Sequence, residues 1–150
     1  DVEIVLDTRG NLLQDNIHGN FFIKPNIHEL RDMFNEKLET KEEIVKKCSF
    51  FLERGVKNII ISRGGDGALL VNKDFVLEAT VPEGVLINSI GAGDSMVAGF
   101  IAGHVKGYSI EDSFRLAVAS GSATAYSYGL AENELVEKLY KEIKIIKEDV

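Results

Sequence analysis

Asn58-Ile59-Ile60-Ile61 carries no polar alternation after its first residue. A strand with one wet face alternates; a strand buried on both faces does not, and such strands belong to sheets with helices packed over each side. Its surroundings agree. Upstream, Thr40 and Glu43 form a capping box, and Ile44, Cys48, Phe51 and Leu52 recur along one helical face that Gly55 brings to an end. Downstream, Ala68 to Val71 and Phe75 to Ala79 flank Asn72-Lys73-Asp74 as a small β-hairpin. The chain therefore reads as α/β, a mainly parallel sheet covered by helices.

Further strands are predicted at Val2 to Leu6 and at Phe21 to Ile23, with a polar, turn-rich stretch over 11–20 between them. Pro25 keeps Lys24 extended, and Asn26 is placed to cap the following helix. Val85 to Ile87 is an apolar run leading into a glycine turn, with an amphipathic segment from Met96 to Val105 beyond it. Ser109 and Asp112 open a helix rich in Ala, Ser and Gly that runs through Ala125 and is broken by Gly129. Its small residues suit close packing against a neighbour or a flat ligand. A last amphipathic helix is read from Glu132 to Lys147, with Leu135, Leu139, Ile143 and Ile146 along one side.

Composition removes several functions. A net charge of -7 argues against a nucleic-acid partner and requires that any phosphate site be built locally. No apolar run approaches the ~20 residues that span a bilayer, so no membrane partner and a cytoplasmic location are expected. Cys48 is the only cysteine, lies on the apolar helix face and reads as core. His18, His28 and His104 lack metal-ligand spacing. One hundred and fifty residues suffice for one domain, yet a chain that opens at Asp1 straight into an apparent strand reads as a piece of something longer.

Asn88-Ser89-Ile90-Gly91-Ala92-Gly93-Asp94-Ser95-Met96 carries the chemistry. Two glycines leave amides uncovered, and a helix starting there makes a positive trap for an anion, with Asp94 beside it to deprotonate a hydroxyl. That pairing suits phosphoryl transfer. Ordinary helix-start chemistry explains the same residues. Neither the dinucleotide fingerprint nor the Walker lysine motif is present. Asn26 and Glu29 fit two roles: a variant capping box, or a pair arranging water around Mg²⁺. In parallel sheets ligands lie at the carboxyl ends of strands, so Asp7, Lys24 to Asn26, Ser62 to Gly67 and Gly91 to Asp94 are expected on one rim.

Asn88 to Asp94 closely resembles the carboxyl-terminal signature of the ribokinase-like, phosphofructokinase B type carbohydrate kinases. Lys24-Pro25-Asn26-Ile27-His28-Glu29-Leu30 and Ser62-Arg63-Gly64-Gly65-Asp66-Gly67 match two further motifs of that family, in its order. The resemblance implies a kinase using ATP and Mg²⁺. Asp94 would be the base, and Gly91, Ala92 and Gly93 the anion hole. Lys24 would approach the ATP phosphates. Asn26 and Glu29 would support Mg²⁺ indirectly, through water. The Ser62, Arg63, Gly64, Gly65, Asp66 and Gly67 loop would line the nucleotide site, and Ser122 the adenine pocket. The flanks resemble most the branch that phosphorylates fructose 1-phosphate to the 1,6-bisphosphate, with tagatose-6-phosphate kinases close behind. Family members are about twice as long, so this chain is expected to be the carboxyl-terminal half, lacking most sugar contacts and the lid. A homodimer of the full-length protein, or a nucleotide-binding fragment without catalysis, are the accompanying expectations.

Overall fold

The computed structural model describes residues 2–150. Six strands form one mixed sheet in chain order: β1 (Val5–Leu6), β2 (Phe22–Ile23), β3 (Asn58–Ser62), β4 (Ala68–Val71), β5 (Phe75–Ala79) and β6 (Ile145–Asp149). β1, β2 and β3 are parallel, with Leu6 opposite Ile23 and Ile23 opposite Ile59. Asn72 Oδ1 accepts from the amides of Asp74 and Phe75, both at 2.9 Å, and so folds the β4–β5 connection. The expected fold class is observed.

Two compact units make up the chain: residues 1–63, 69–77 and 147–150, and residues 64–68 and 78–146. In the first, α1 (Asn11–Asn16), α2 (Ile27–Phe34) and α3 (Lys41–Leu52) accompany β1 to β3. Both capping boxes form: Thr40 Oγ1 accepts from the Glu43 amide, and Asn26 Oδ1 from the Glu29 amide. Ile23, Leu30, Ile44, Cys48, Phe51, Ile59, Ile61 and Leu69 share one buried core. Burial there pushes the Cys48 thiol up to about 12, as fits an inert core residue.

The second unit contains α4 (Ala92–Val105), α5 (Ile110–Ala125) and α6 (Asn133–Glu142). α4 and α5 approach so closely that a Cβ on Gly99 would lie 2.8 Å from the Leu116 carbonyl oxygen. A Cβ on Gly103 would lie 2.8 Å from Ser113 Cα. The small residues of α5 serve a neighbouring helix. Arg115 ties α5 to the chain after α6: Nη1 donates to the Ile143 carbonyl at 2.6 Å, and Nη2 to Glu111 at 3.3 Å.

Ser113 is fully buried, and among the described residues its hydroxyl has no hydrogen-bond partner. Ser113→Ala removes that unpaired group and favours the helix, so both effects stabilise. The protein should gain about 1 kcal/mol, read as a rise in thermal midpoint; a fall would show that the hydroxyl is satisfied.

Four expectations differ from the structure. The segment 11–20 contains the short helix α1, because Leu13 and Ile17 stand four apart and both are buried. Of the first predicted strand, Val5–Leu6 forms β1, and the Ile4 carbonyl accepts from the Phe21 amide at 2.8 Å. Val85 to Ile87 forms no strand and its side chains are exposed. The last helix stops at Glu142: Ile143 turns to φ -73, ψ 125, and Ile145–Asp149 becomes β6. Backbone pairing decides that switch, with the Thr80 amide donating to Lys144 at one end and the Val150 amide to Asp74 at the other.

Candidate active site

In the first unit the parallel register sets Asp7 and Lys24 just beyond paired Leu6 and Ile23, at the carboxyl ends of β1 and β2. The next link is direct. Asn26 and Ser62 form a parallel bridge, and the Ser62 amide donates to the Pro25 carbonyl at 3.3 Å. Two of the sequence motifs, separated by more than thirty residues, are thereby neighbours. Lys24 is only 8% exposed, and among the described residues nothing forms an ion pair with its ammonium. Its stem is covered by the surrounding protein, and its charged end suits an anion such as a phosphate.

Asn26 and Glu29 adopt the capping-box reading in full. Glu29 Oε2 accepts from the Asn26 amide at 3.0 Å, and Asn26 Oδ1 accepts from the Glu29 amide at 2.8 Å. The box leaves Glu29 Oε1 outside it, which is compatible with a water-mediated contact to Mg²⁺. Among the described residues, no three of His, Cys, Asp or Glu cluster as a metal site. A Mg²⁺ ion here would be held by one carboxylate, its own waters and substrate phosphates.

In the second unit, Gly64–Asp66 is a single 3₁₀ turn closed by the Gly67 amide on the Gly64 carbonyl at 3.1 Å. Around Gly64 (φ 59) and Gly65 there is open space. Gly67 differs: a Cβ there would lie 2.1 Å from the Ala79 carbonyl oxygen. Its Cα faces the β5 backbone, so the fold itself requires a glycine there.

Gly91, at φ 80, turns the chain into α4, which starts at Ala92 and so holds Asp94 in its first turn. The segment before it is held by the end of α5. Ala125 O accepts from the Ile87 and Asn88 amides at 2.8 and 3.1 Å, and the Tyr126 hydroxyl donates to Pro82 O at 2.7 Å. Gly84 lies flat on the Tyr126 ring, where a Cβ would come within 2.2 Å of Cε2. α5 itself ends at Ala125, four residues before Gly129.

The first turn of α4 holds an exposed Asp94. The Ala92 amide donates to Ser89 O at 3.1 Å, and the first intrahelical bond runs from the Ser95 amide to Gly91 O at 2.9 Å. Gly93 and Asp94 are therefore the amides left without an intrahelical acceptor, an anion-attracting pair beside a carboxylate. Ser122 follows Gly121, whose Cβ would lie 3.0 Å from Ala92 O, so this part of α5 abuts that same turn.

Sequence reasoning overlooked Thr124 as a site component. Its buried hydroxyl lies 2.8 Å from Ser95 Oγ and accepts from the Ala131 amide at 3.3 Å.

Comparison with known proteins completes the assignment. The chain is 45% identical over 148 residues to 1-phosphofructokinase of Bacillus subtilis, covering 98% of this chain and 49% of that protein. It is 35% identical over 146 residues to D-tagatose-1-phosphate kinase of Bacillus licheniformis, covering 96% and 48%. Among solved structures, a putative phosphofructokinase from Staphylococcus aureus superimposes with a TM-score of 0.93 at 37% identity, over 99% of this chain and 49% of that one. The chain thus spans about half the length of the relatives it matches. Among the described residues no helix is long and apolar enough to cross a membrane. Residues 1–137 match the family model described as pfkB family carbohydrate kinase, and the chain belongs to that family.

Proposed function

We propose that the protein carrying this chain transfers the γ-phosphoryl group of ATP to fructose 1-phosphate, giving fructose 1,6-bisphosphate and ADP, and that this chain is its carboxyl-terminal half. The observation that carries the reading is the first turn of α4, where two amides without intrahelical acceptors adjoin the exposed Asp94 carboxylate. The acceptor hydroxyl gives its proton to Asp94 as its oxygen attacks the γ-phosphorus. The bond to the ADP oxygen breaks, and the Gly93 and Asp94 amides stabilise charge on the transferring group. The Ala92 amide joins them only by releasing Ser89 O.

Lys24 offers its ammonium to the ATP phosphates. Asn26 and Glu29 orient water on Mg²⁺, which supplies charge neutralisation when bound. Ser62, Arg63, Gly64, Gly65 and Asp66 line the nucleotide, while Gly67 shapes their turn against Ala79, and Ser122 borders the adenine. The remaining sugar contacts come from the rest of the longer protein.

A second acceptor has support from a named relative, the tagatose-1-phosphate kinase. With the full-length protein, MgATP and fructose 1-phosphate, tagatose 1-phosphate, tagatose 6-phosphate or fructose 6-phosphate in turn, the highest kcat/KM is expected for fructose 1-phosphate. A higher value for either tagatose phosphate would reassign the acceptor, and no turnover on any would overturn the kinase reading. For the isolated 150 residues, nucleotide binding without turnover is expected, because the chain spans half of its relatives. Calorimetric titration with ATP, with and without Mg²⁺, reads it directly.

A further inference from the structure

We propose that Thr124 is a positioning residue for the turn that carries Asp94, acting through Ser95; this rests on the assignment of Asp94 as base. Among the described residues, no hydrogen bond holds the Asp94 carboxylate. Its aim is set by the backbone on either side of it. On one side that backbone is Gly93, with no side chain to anchor. On the other it is Ser95, whose Oγ lies 2.8 Å from Thr124 Oγ1.

Thr124 is 2% exposed and sits in the last turn of α5. Its single oxygen joins two segments to α5: the first turn of α4 through Ser95, and the connection to α6 through the Ala131 amide at 3.3 Å. One proton and two lone pairs are enough for both contacts. Its methyl lies beneath the turn as well: a Cβ on Gly91 would be 3.9 Å from Thr124 Cγ2. The hydroxyl thus ties the Ser95 end of the turn to α5 through a part-buried polar contact, with the methyl packed near its Gly91 end. A displacement of about 1 Å at a reacting group can cost on the order of a hundredfold in rate, which makes such an anchor matter for turnover more than for binding.

The test compares Thr124→Val, which keeps shape and removes the hydroxyl, with Thr124→Ser, Ser95→Ala and Asp94→Asn in the full-length protein. Thr124→Val is expected to lower kcat about tenfold or more with KM for ATP within about twofold. Amide hydrogen exchange over residues 91–95 should accelerate, and Thr124→Ser should restore kcat to within about threefold. Wild-type kcat in Thr124→Val, or a Thr124→Ser as slow as Thr124→Val, would overturn the proposal. Should Thr124→Val fail to fold, Ser95→Ala decides: a several-fold fall in kcat at steady KM supports it, and unchanged kcat overturns it. Turnover surviving in Asp94→Asn would remove the base itself. Turnover surviving in Thr124→Val beside an inactive Asp94→Asn would remove only the positioning.

Discussion

Asp94→Asn in the full-length protein is expected to cut turnover by about a thousandfold while leaving ATP affinity within about threefold of wild type. General-base assistance is worth roughly 10² to 10⁴ in rate, and a side-chain amide cannot take the acceptor's proton. Asparagine matches the carboxylate in size, and residue 94 is exposed, so neither packing nor a side-chain hydrogen bond is lost with the charge. The amides of Gly93 and Asp94 are backbone groups and survive the change. ATP affinity should if anything rise slightly, since the substitution removes a negative charge from beside an anion site. Steady-state turnover and a direct ATP titration on the same preparation separate the two effects. Turnover within tenfold of wild type would show that another group takes the proton.

How much of this was legible depended on how local each signal is. The boxes Thr40–Glu43 and Asn26–Glu29 declare themselves within four residues, and both form. The apolar run 58–61 could be read because a strand buried on both faces has no polar face to confuse it. Ile143 and Ile146 misled because their spacing continues the helical stripe of Leu135 and Leu139; the hydrogen bonds to Thr80 and Asp74 that flank β6 lie some 60 to 75 residues away in the chain. Val85 to Ile87 has strand composition, yet the Ile87 amide, with that of Asn88, goes to the end of α5. For Gly67, sequence shows that a glycine is needed without showing which atom comes close, here Ala79 O. Thr124 was hidden for a related reason. Its partner Ser95 stands 29 residues upstream, and a threonine in a stripe of small residues looks like filler.

Gly99→Val should destabilise the protein by about 3 kcal/mol, a fall of roughly 10 °C in melting temperature. The ordinary propensity argument points the other way, since glycine within a helix costs about 1 kcal/mol against alanine and any side chain should help. Space decides it. A Cβ on Gly99 would stand 2.6 Å from Ser120 Oγ, 2.8 Å from Leu116 O and 3.0 Å from Ala117 Cα. Ser120 can swing aside, but the other two are backbone of α5, so relief requires the helices to part. Even Gly99→Ala should destabilise, and Gly103→Ala likewise, because it meets Ser113 Cα at 2.8 Å. Gly121→Ala should cost less: its nearest contact, Met96 Cγ, belongs to an adaptable side chain, although Ala92 O at 3.0 Å still resists. Gly129→Ala, with nothing within 4 Å, should leave the melting temperature unchanged. This ordering separates steric wedging from a general intolerance of glycine replacement, which would affect all four positions alike. Parting α4 from α5 would also shift the turn at Asp94, so Gly99→Ala should lose turnover at temperatures where it is still folded. A stable Gly99→Val would mean that the two helices are not held at this distance, and the positioning of Asp94 from α5 would fall with it.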